Sequence, residues 1–191
     1  EAEHVFLKMG LEDYAIQEDK KDVSLSIFEV GFGTGLNALL TANWAKKNNK
    51  NIDYTAIEKH PVSKEEHEQL NYGDLLGEVG LYNQISKAKW NVFEPINDFF
   101  KVKKMEIDLI ATELPKGFDV IYFDAFAPNK QPQLWEVSVF KKMYDIMNRN
   151  ALLVTYCCQG QARRNIIESG LKVEKVPGPP GKREMLRARK L

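Results

Sequence analysis

The chain has 191 residues and a mass of 21.9 kDa, room for one ordinary domain with a substantial core. Lys and Arg number 27 and Asp and Glu 27, so the formal charge is zero, which excludes a histone-like, wholly electrostatic nucleic-acid binder. The two cysteines, Cys157 and Cys158, are adjacent and supply no disulfide framework, which points to a reducing compartment such as the cytoplasm, and no run reaches the roughly 20 apolar residues of a membrane span.

The chain starts at Glu1 without Met and without an apolar signal core, which reads as a processed or trimmed form. Leu25 to Val30 is a β-rich run that ends at a glycine cluster, and Leu36 to Lys47 then reads as a helix. Ile52 to Ile57 is a second strand, closed by Glu58. Ser63 to Leu70 reads as a helix, with Ser63 and Glu66 in capping-box spacing. Tyr72 to Glu94 is expected to be helical turns and loop. Phe99 to Asp108 holds two weak alternating segments around Lys103 and Lys104. Phe118 to Phe123 is a strongly apolar strand ending at Asp124, Leu134 to Met147 an amphipathic helix, and Ala151 to Cys157 another strong strand. Gln161 to Ser169 is a helix stopped by Gly170, and Leu171 to Val176 and Glu184 to Arg189 are strands joined by the turn Pro177-Gly178-Pro179-Pro180-Gly181. Strands alternating with helices give an α/β fold with a mainly parallel sheet. The last two strands, joined without a helix, predict an antiparallel end to that sheet. Residues 1–191 read as a single domain, since no composition shift marks a boundary.

The segment Phe28-Glu29-Val30-Gly31-Phe32-Gly33-Thr34-Gly35-Leu36 carries the clearest chemistry. Glycines after a strand let the chain turn sharply and let a ligand approach the main chain, while the following helix turns its free amides toward a negative group. A dinucleotide fingerprint would need a third glycine at position 36, which is Leu. Gly31, Gly33 and Gly35 preceded by Glu29 match the S-adenosylmethionine-binding spacing instead. Glu58, 23 residues after Gly35, ends the second strand, where a carboxylate accepts both hydroxyls of a ribose. Asp108 follows the next strand segment and is placed to accept from an adenine amino group, with Ile107 or Leu109 against the ring.

Val120 to Pro128 forms the second motif, delivering Asp124 to the carboxyl edge of the sheet, where open α/β folds bind ligands. Phe126 is placed to face a flat or cationic group. An alkyl amine has a pKa near 10 and a free Asp near 4, so direct proton transfer is uphill by roughly 8 kcal/mol. Asp124 therefore reads as an orienting acceptor, with most acceleration coming from alignment. From Gln159 to Leu191 there are nine Lys or Arg against three Glu, a basic surplus hidden by the neutral total. Arg163, Arg164, Lys182 and Arg183 are its candidate phosphate contacts. Trp135 reads as a helix-start aromatic packed on the sheet rather than as a wall of the entrance. His4, His60 and His67 have no metal-ligand spacing, so no metal site is expected.

Together these motifs resemble the methyltransferase domain of the MnmC family. The likeness runs through His4-Val5-Phe6-Leu7 with Gly10-Leu11, then Gly31 to Asn37. It continues through Phe123-Asp124-Ala125-Phe126-Ala127-Pro128 to Pro132 with Leu134-Trp135, and ends with Arg163-Arg164 and Gly181-Lys182-Arg183-Glu184-Met185-Leu186. The resemblance implies a Rossmann-like class I methyltransferase that methylates the exocyclic aminomethyl nitrogen of a tRNA wobble uridine, giving 5-methylaminomethyl-(2-thio)uridine. It implies Asp124 as the acid beside the amine and Glu29, Gly31, Gly33, Gly35, Glu58 and Asp108 around S-adenosylmethionine. Phe126, Arg163, Arg164, Lys182 and Arg183 would meet the tRNA anticodon loop. Some members of the family fuse an oxidase; this sequence shows no second dinucleotide fingerprint, so a stand-alone form acting after the upstream wobble-uridine enzymes is expected. Other readings share parts of the pattern: an aminopropyl transferase or other small-amine methyltransferase, a nicotinamide-dependent oxidoreductase, and a nonenzymatic RNA- or nucleotide-binding module.

Overall fold

A computed structural model of the chain describes residues 1–17 and 23–191. Its frame is one 8-stranded sheet. The strands are β1 (Leu25–Val30), β2 (Ile52–Glu58), β3 (Phe93–Asn97), β4 (Phe100–Glu106), β5 (Phe118–Phe123), β6 (Met147–Thr155), β7 (Lys172–Pro177) and β8 (Glu184–Arg189), in the spatial order β3-β4-β2-β1-β5-β6-β8-β7. Neighbours from β4 across to β6 are parallel, while β3 pairs antiparallel with β4 and β8 lies antiparallel between β6 and β7. The predicted antiparallel ending is therefore present.

The central strands read as apolar runs because both their faces are covered. Leu25, Ile27, Val120, Tyr122, Leu152 and Val154 join one core, while Phe28, Val30, Ile121, Phe123, Ala151 and Leu153 join the other. The first core is roofed by α2 (Leu36–Asn48) and α5 (Val79–Lys87); α3 (Lys64–Glu68) and α4 (Tyr72–Leu76) lie between β2 and α5 in the chain. The second core is covered by α6 (Val137–Ile146) and α7 (Gly160–Glu168), with a single 3₁₀ turn at Pro132–Trp135 leading into α6. Ser63 and Glu66 close the expected capping box on α3.

Three departures from the sequence reading have physical causes. The N-terminal Glu3–Glu12 forms a π-helical segment that leads into α1 (Asp13–Gln17). It buries Val5, Phe6, Leu7, Gly10 and Leu11, a face in which a glycine takes a core place. Gly10 is needed there because a Cβ would stand 2.9 Å from Val154. The segment expected as two weak strands around Lys103 and Lys104 is the single strand β4, preceded by the unforeseen edge strand β3. Lys104 disguises β4: it is only 1% exposed, and its Nζ donates to the carbonyls of Ile85 and Ser86 at the end of α5. Cations are favoured at a helix C-terminus, yet burial still pushes this amine down to about 8. Finally, β6 begins at Met147 rather than Ala151, because the polar Asn148, Arg149 and Asn150 interrupt its apolar pattern where the β5–β6 register shifts.

The chain leaves β1 for β2 on one side, and β5 pairs on the other. The carboxyl ends of β1 and β5 thus flank the point where the strand order reverses, the place where open α/β sheets hold ligands. No helix among the described residues is long and apolar enough to cross a membrane.

Candidate active site

A cleft of about 880 Å³ opens at that reversal point. Its floor is the loop after β1. Gly31 and Phe32 donate their amides to Ile57 O, both at 3.0 Å, which ties the loop to the end of β2. Gly31 has φ +88°, and a Cβ there would lie 2.9 Å from Asp124 O, so only glycine lets the loop after β1 pass the loop after β5. Gly33 has φ +50° and open space where its side chain would be, which leaves its backbone approachable. Gly35 caps α2 and packs on the Phe32 ring without lining the cleft. The loop is held from behind by Tyr82, whose hydroxyl donates to Thr34 O at 2.9 Å.

Two acids line the β2–β4 end. Glu58 accepts the Gly33 amide at 3.1 Å on one oxygen and the His60 amide at 2.9 Å on the other. Asp108 accepts Lys59 Nζ at 2.9 Å and the Ile110 amide at 2.8 Å, bonds that hold its carboxyl below the usual range. Ile57, Ile107 and Leu109 supply apolar wall beside them.

The other end is built differently. Asp124 follows β5, and its amide donates to Val30 O at 3.1 Å. Its Oδ2 accepts Asn37 Nδ2 at 2.9 Å. Burial pushes this carboxyl up to about 7, against the opposing pull of the Asn37 bond and with a smaller push from Glu1. The loop after Asp124 is pinned at two carbonyls: Tyr156 donates to Ala125 O at 2.9 Å and Trp135 Nε1 to Phe126 O at 2.8 Å. Phe126 itself is 71% exposed and lines the cleft mouth. Trp135 is buried on Phe123 and Phe140, as its sequence position suggested.

The remaining sequence candidates separate. Gly31, Gly33, Glu58, Asp108, Asp124, Phe126 and Lys182 share the cleft. Lys182 is paired with Glu1 and lies 4.9 Å over the Tyr156 ring. Arg183 lines an adjoining hollow of about 400 Å³ that shares Tyr156 and Lys182 with the main cleft. Arg163 and Arg164 line neither: both are exposed on α7, where Arg164 bonds Gln161. Glu29 corrects the sequence reading, because it is 1% exposed and meets Asn37 rather than the cleft. Asn37 and Tyr156 are the residues that reading missed. Asn37 stood in the quoted motif, but nothing in a one-dimensional pattern shows a helix residue reaching to β5.

The cleft fits S-adenosylmethionine: a bare glycine backbone where the donor must come close, an acid at the end of β2 for a ribose, and apolar wall beside a further acid for an adenine. Among the described residues, no group of three or more His, Cys, Asp or Glu is placed to hold a metal ion.

Two curated relatives, both described as the tRNA 5-methylaminomethyl-2-thiouridine biosynthesis bifunctional protein MnmC, match nearly the whole chain. The protein from Cupriavidus metallidurans is 32% identical over 99% of the chain, and that from Stutzerimonas stutzeri 29% over 98%. The chain spans about 30% of the length of each. Among solved structures, MNMC2 from Aquifex aeolicus superposes with a TM-score of 0.68 at 20% identity, covering 95% of this chain and 59% of that one. The S-adenosylmethionine-dependent methyltransferase SibL in its apo form gives 0.51 at 12% identity, covering 96% and 55%. A family model described as S-adenosyl-L-methionine-dependent methyltransferase matches residues 81–191, more than half of the chain, which therefore belongs to that methyltransferase family.

Proposed function

We propose that this methyltransferase acts on tRNA, converting the 5-aminomethyl group of a wobble uridine to 5-methylaminomethyl. The observation that carries the reading is Asp124, an acid of raised pKa between the glycine loop and the exposed Phe126, in a cleft that Lys182 also lines. The names of the curated relatives supply the substrate class.

S-adenosylmethionine supplies a methyl group on a positively charged sulfur. Glu58 is the acceptor for the ribose hydroxyls, and Asp108 with Ile107 and Leu109 frames the adenine. Gly31 and Gly33 allow main-chain contact with the amino-acid portion. Asp124 pairs with the acceptor amine and turns it toward the methyl. The nitrogen lone pair forms the new N–C bond as the C–S bond breaks, and the bonding pair stays on sulfur. An acceptor that arrives as an ammonium first gives one proton to Asp124 or to water, since only the neutral amine has a lone pair, and the methylated product keeps the positive charge on nitrogen. With the Asp124 carboxyl at about 7 rather than near 4, the transfer from an amine of pKa about 10 is uphill by about 4 kcal/mol instead of about 8. Asp124 thus serves as acceptor of the proton as well as orienting group.

Lys182 and Arg183 are the phosphate contacts closest to the chemistry, and Arg163 and Arg164 lie farther out on α7 as guides. The reaction belongs in the cytoplasm with tRNA, after the enzymes that install the aminomethyl group. The test is transfer of labelled methyl to tRNA lacking the final methyl, followed by nucleoside mass analysis. A gain of one methyl on the 5-aminomethyl uridine is expected. Transfer to polyamines or small amines in its place would overturn the tRNA reading.

A further inference from the structure

Asn37 is the second residue of α2, lines the cleft, and is 5% exposed. Its Nδ2 donates both to Glu29 Oε1 at 2.8 Å and to Asp124 Oδ2 at 2.9 Å. Those bonds use both amide hydrogens. In this orientation the amide nitrogen serves both acids and Oδ1 is left buried without a hydrogen-bond partner. Glu29 is closed off on β1, where the Tyr54 hydroxyl of β2 faces it. An ionised carboxylate so placed would be costly, and burial raises Glu29 well above the ordinary carboxylate range.

We propose that Asn37 is a positioning residue for methyl transfer: anchored by Glu29, it commits one oxygen of Asp124 and leaves the other for the acceptor amine. This inference rests on the reading of Asp124 as the partner of that amine. Asp124 is faced by Asn37 from α2, Glu29 from β1, Tyr156 after β6, Glu1 from the N-terminus, and Lys182 across the shared cleft. Glu29 in turn feels Tyr54 from β2 and Glu58 at its end. Of these, Asn37 is the group that donates to the Asp124 carboxylate and so favours its charged form.

The test follows Asp124 by carboxyl ¹³C NMR, its signal assigned by loss in Asp124→Asn, alongside single-turnover methyl transfer at saturating donor. Asn37→Ala should raise the Asp124 titration midpoint above that of wild type. It should also lower the rate ~10- to 100-fold, with the loss falling on the rate rather than on donor Kd. Glu29→Leu should copy both effects, because Asn37 loses its anchor. Glu29→Gln keeps a carbonyl for Asn37 and should move both back toward wild type. An Asn37→Ala enzyme that titrates and turns over like wild type overturns the inference, as does a Glu29→Gln enzyme no better than Glu29→Leu. Should Glu29→Leu fail to fold, the Asn37→Ala titration decides alone. Wild-type protein that never methylates a tRNA amine would remove the functional reading, and the titration, which needs no turnover, would still report whether Asn37 governs Asp124.

Discussion

Asp108 and Asp124 are the same residue type, both follow parallel strands at one sheet edge, and both line one cleft, yet they are held in opposite electrostatic states. Asp108 meets a lysine and a backbone amide in a solvated loop and is kept below the usual carboxylate range. Asp124 meets a neutral amide in a more enclosed corner and is raised to about 7. Under the proposed function, that contrast lets one sheet edge serve two tasks, with a fixed acceptor for a nucleoside at the β2–β4 end and a titratable partner for an amine at the β5 end.

That contrast has a sign in stability. The folded pKa of Asp124 exceeds the value near 4 of a free Asp, so the native state holds the proton more tightly. The contribution of Asp124 is most favourable below about pH 4 and is lost as pH rises through about 7. Asp124→Asn should therefore stabilise the protein at pH 8, by at most about 4 kcal/mol, and leave it unchanged at pH 4. Asp108→Asn should do the reverse weakly, since a lowered carboxyl contributes above its unfolded pKa and its pair is solvated. Melting curves at the two pH values check both.

Breaking the contact between the two loops is next in size. Gly31→Ala combines φ +88° with a 2.9 Å approach to Asp124 O and should cost about 2–3 kcal/mol in denaturant titrations. Gly33→Ala, at φ +50° in open space, should cost about 1 kcal/mol. Equal costs would mean that the approach to Asp124 is not what selects glycine at position 31.

Glu58→Ala should then weaken donor binding about tenfold, or about 1.4 kcal/mol, by calorimetry. An unchanged affinity would remove the ribose assignment. The smallest effect is expected at the mouth. Lys182→Ala with Arg183→Ala should weaken tRNA binding a few-fold and lower the slope of affinity against salt by up to about 2. An unchanged slope would move the RNA face elsewhere, with the exposed Arg163 and Arg164 on α7 as the next candidates.

The order of the parallel strands and the helices that cover them, the antiparallel ending and the sheet edge that carries the cleft were legible because the apolar runs, glycines and strand-end acids each sit beside one another in the chain. Gly31, Glu58 and Asp124 could be placed in this way. Asn37 and Tyr156 could not, because their importance lies in bonds to Asp124 and Ala125, across 87 and 31 residues. Glu29 reads from sequence as a ligand contact, since its position before the glycines says nothing about which side of β1 it faces. Lys104 misled through charge: a buried cation capping α5 reads locally as a surface residue. The glycine spacing set against a dinucleotide site agrees with membership of a methyltransferase family, which also leaves the oxidoreductase and aminopropyl readings behind.

The most direct measurement is single-turnover methyl transfer to hypomodified tRNA by Asp124→Asn, with donor affinity measured on the same preparation. Donor binding should remain near wild type while the transfer rate falls ~100-fold or more. Full transfer with normal donor binding would contradict the role of Asp124.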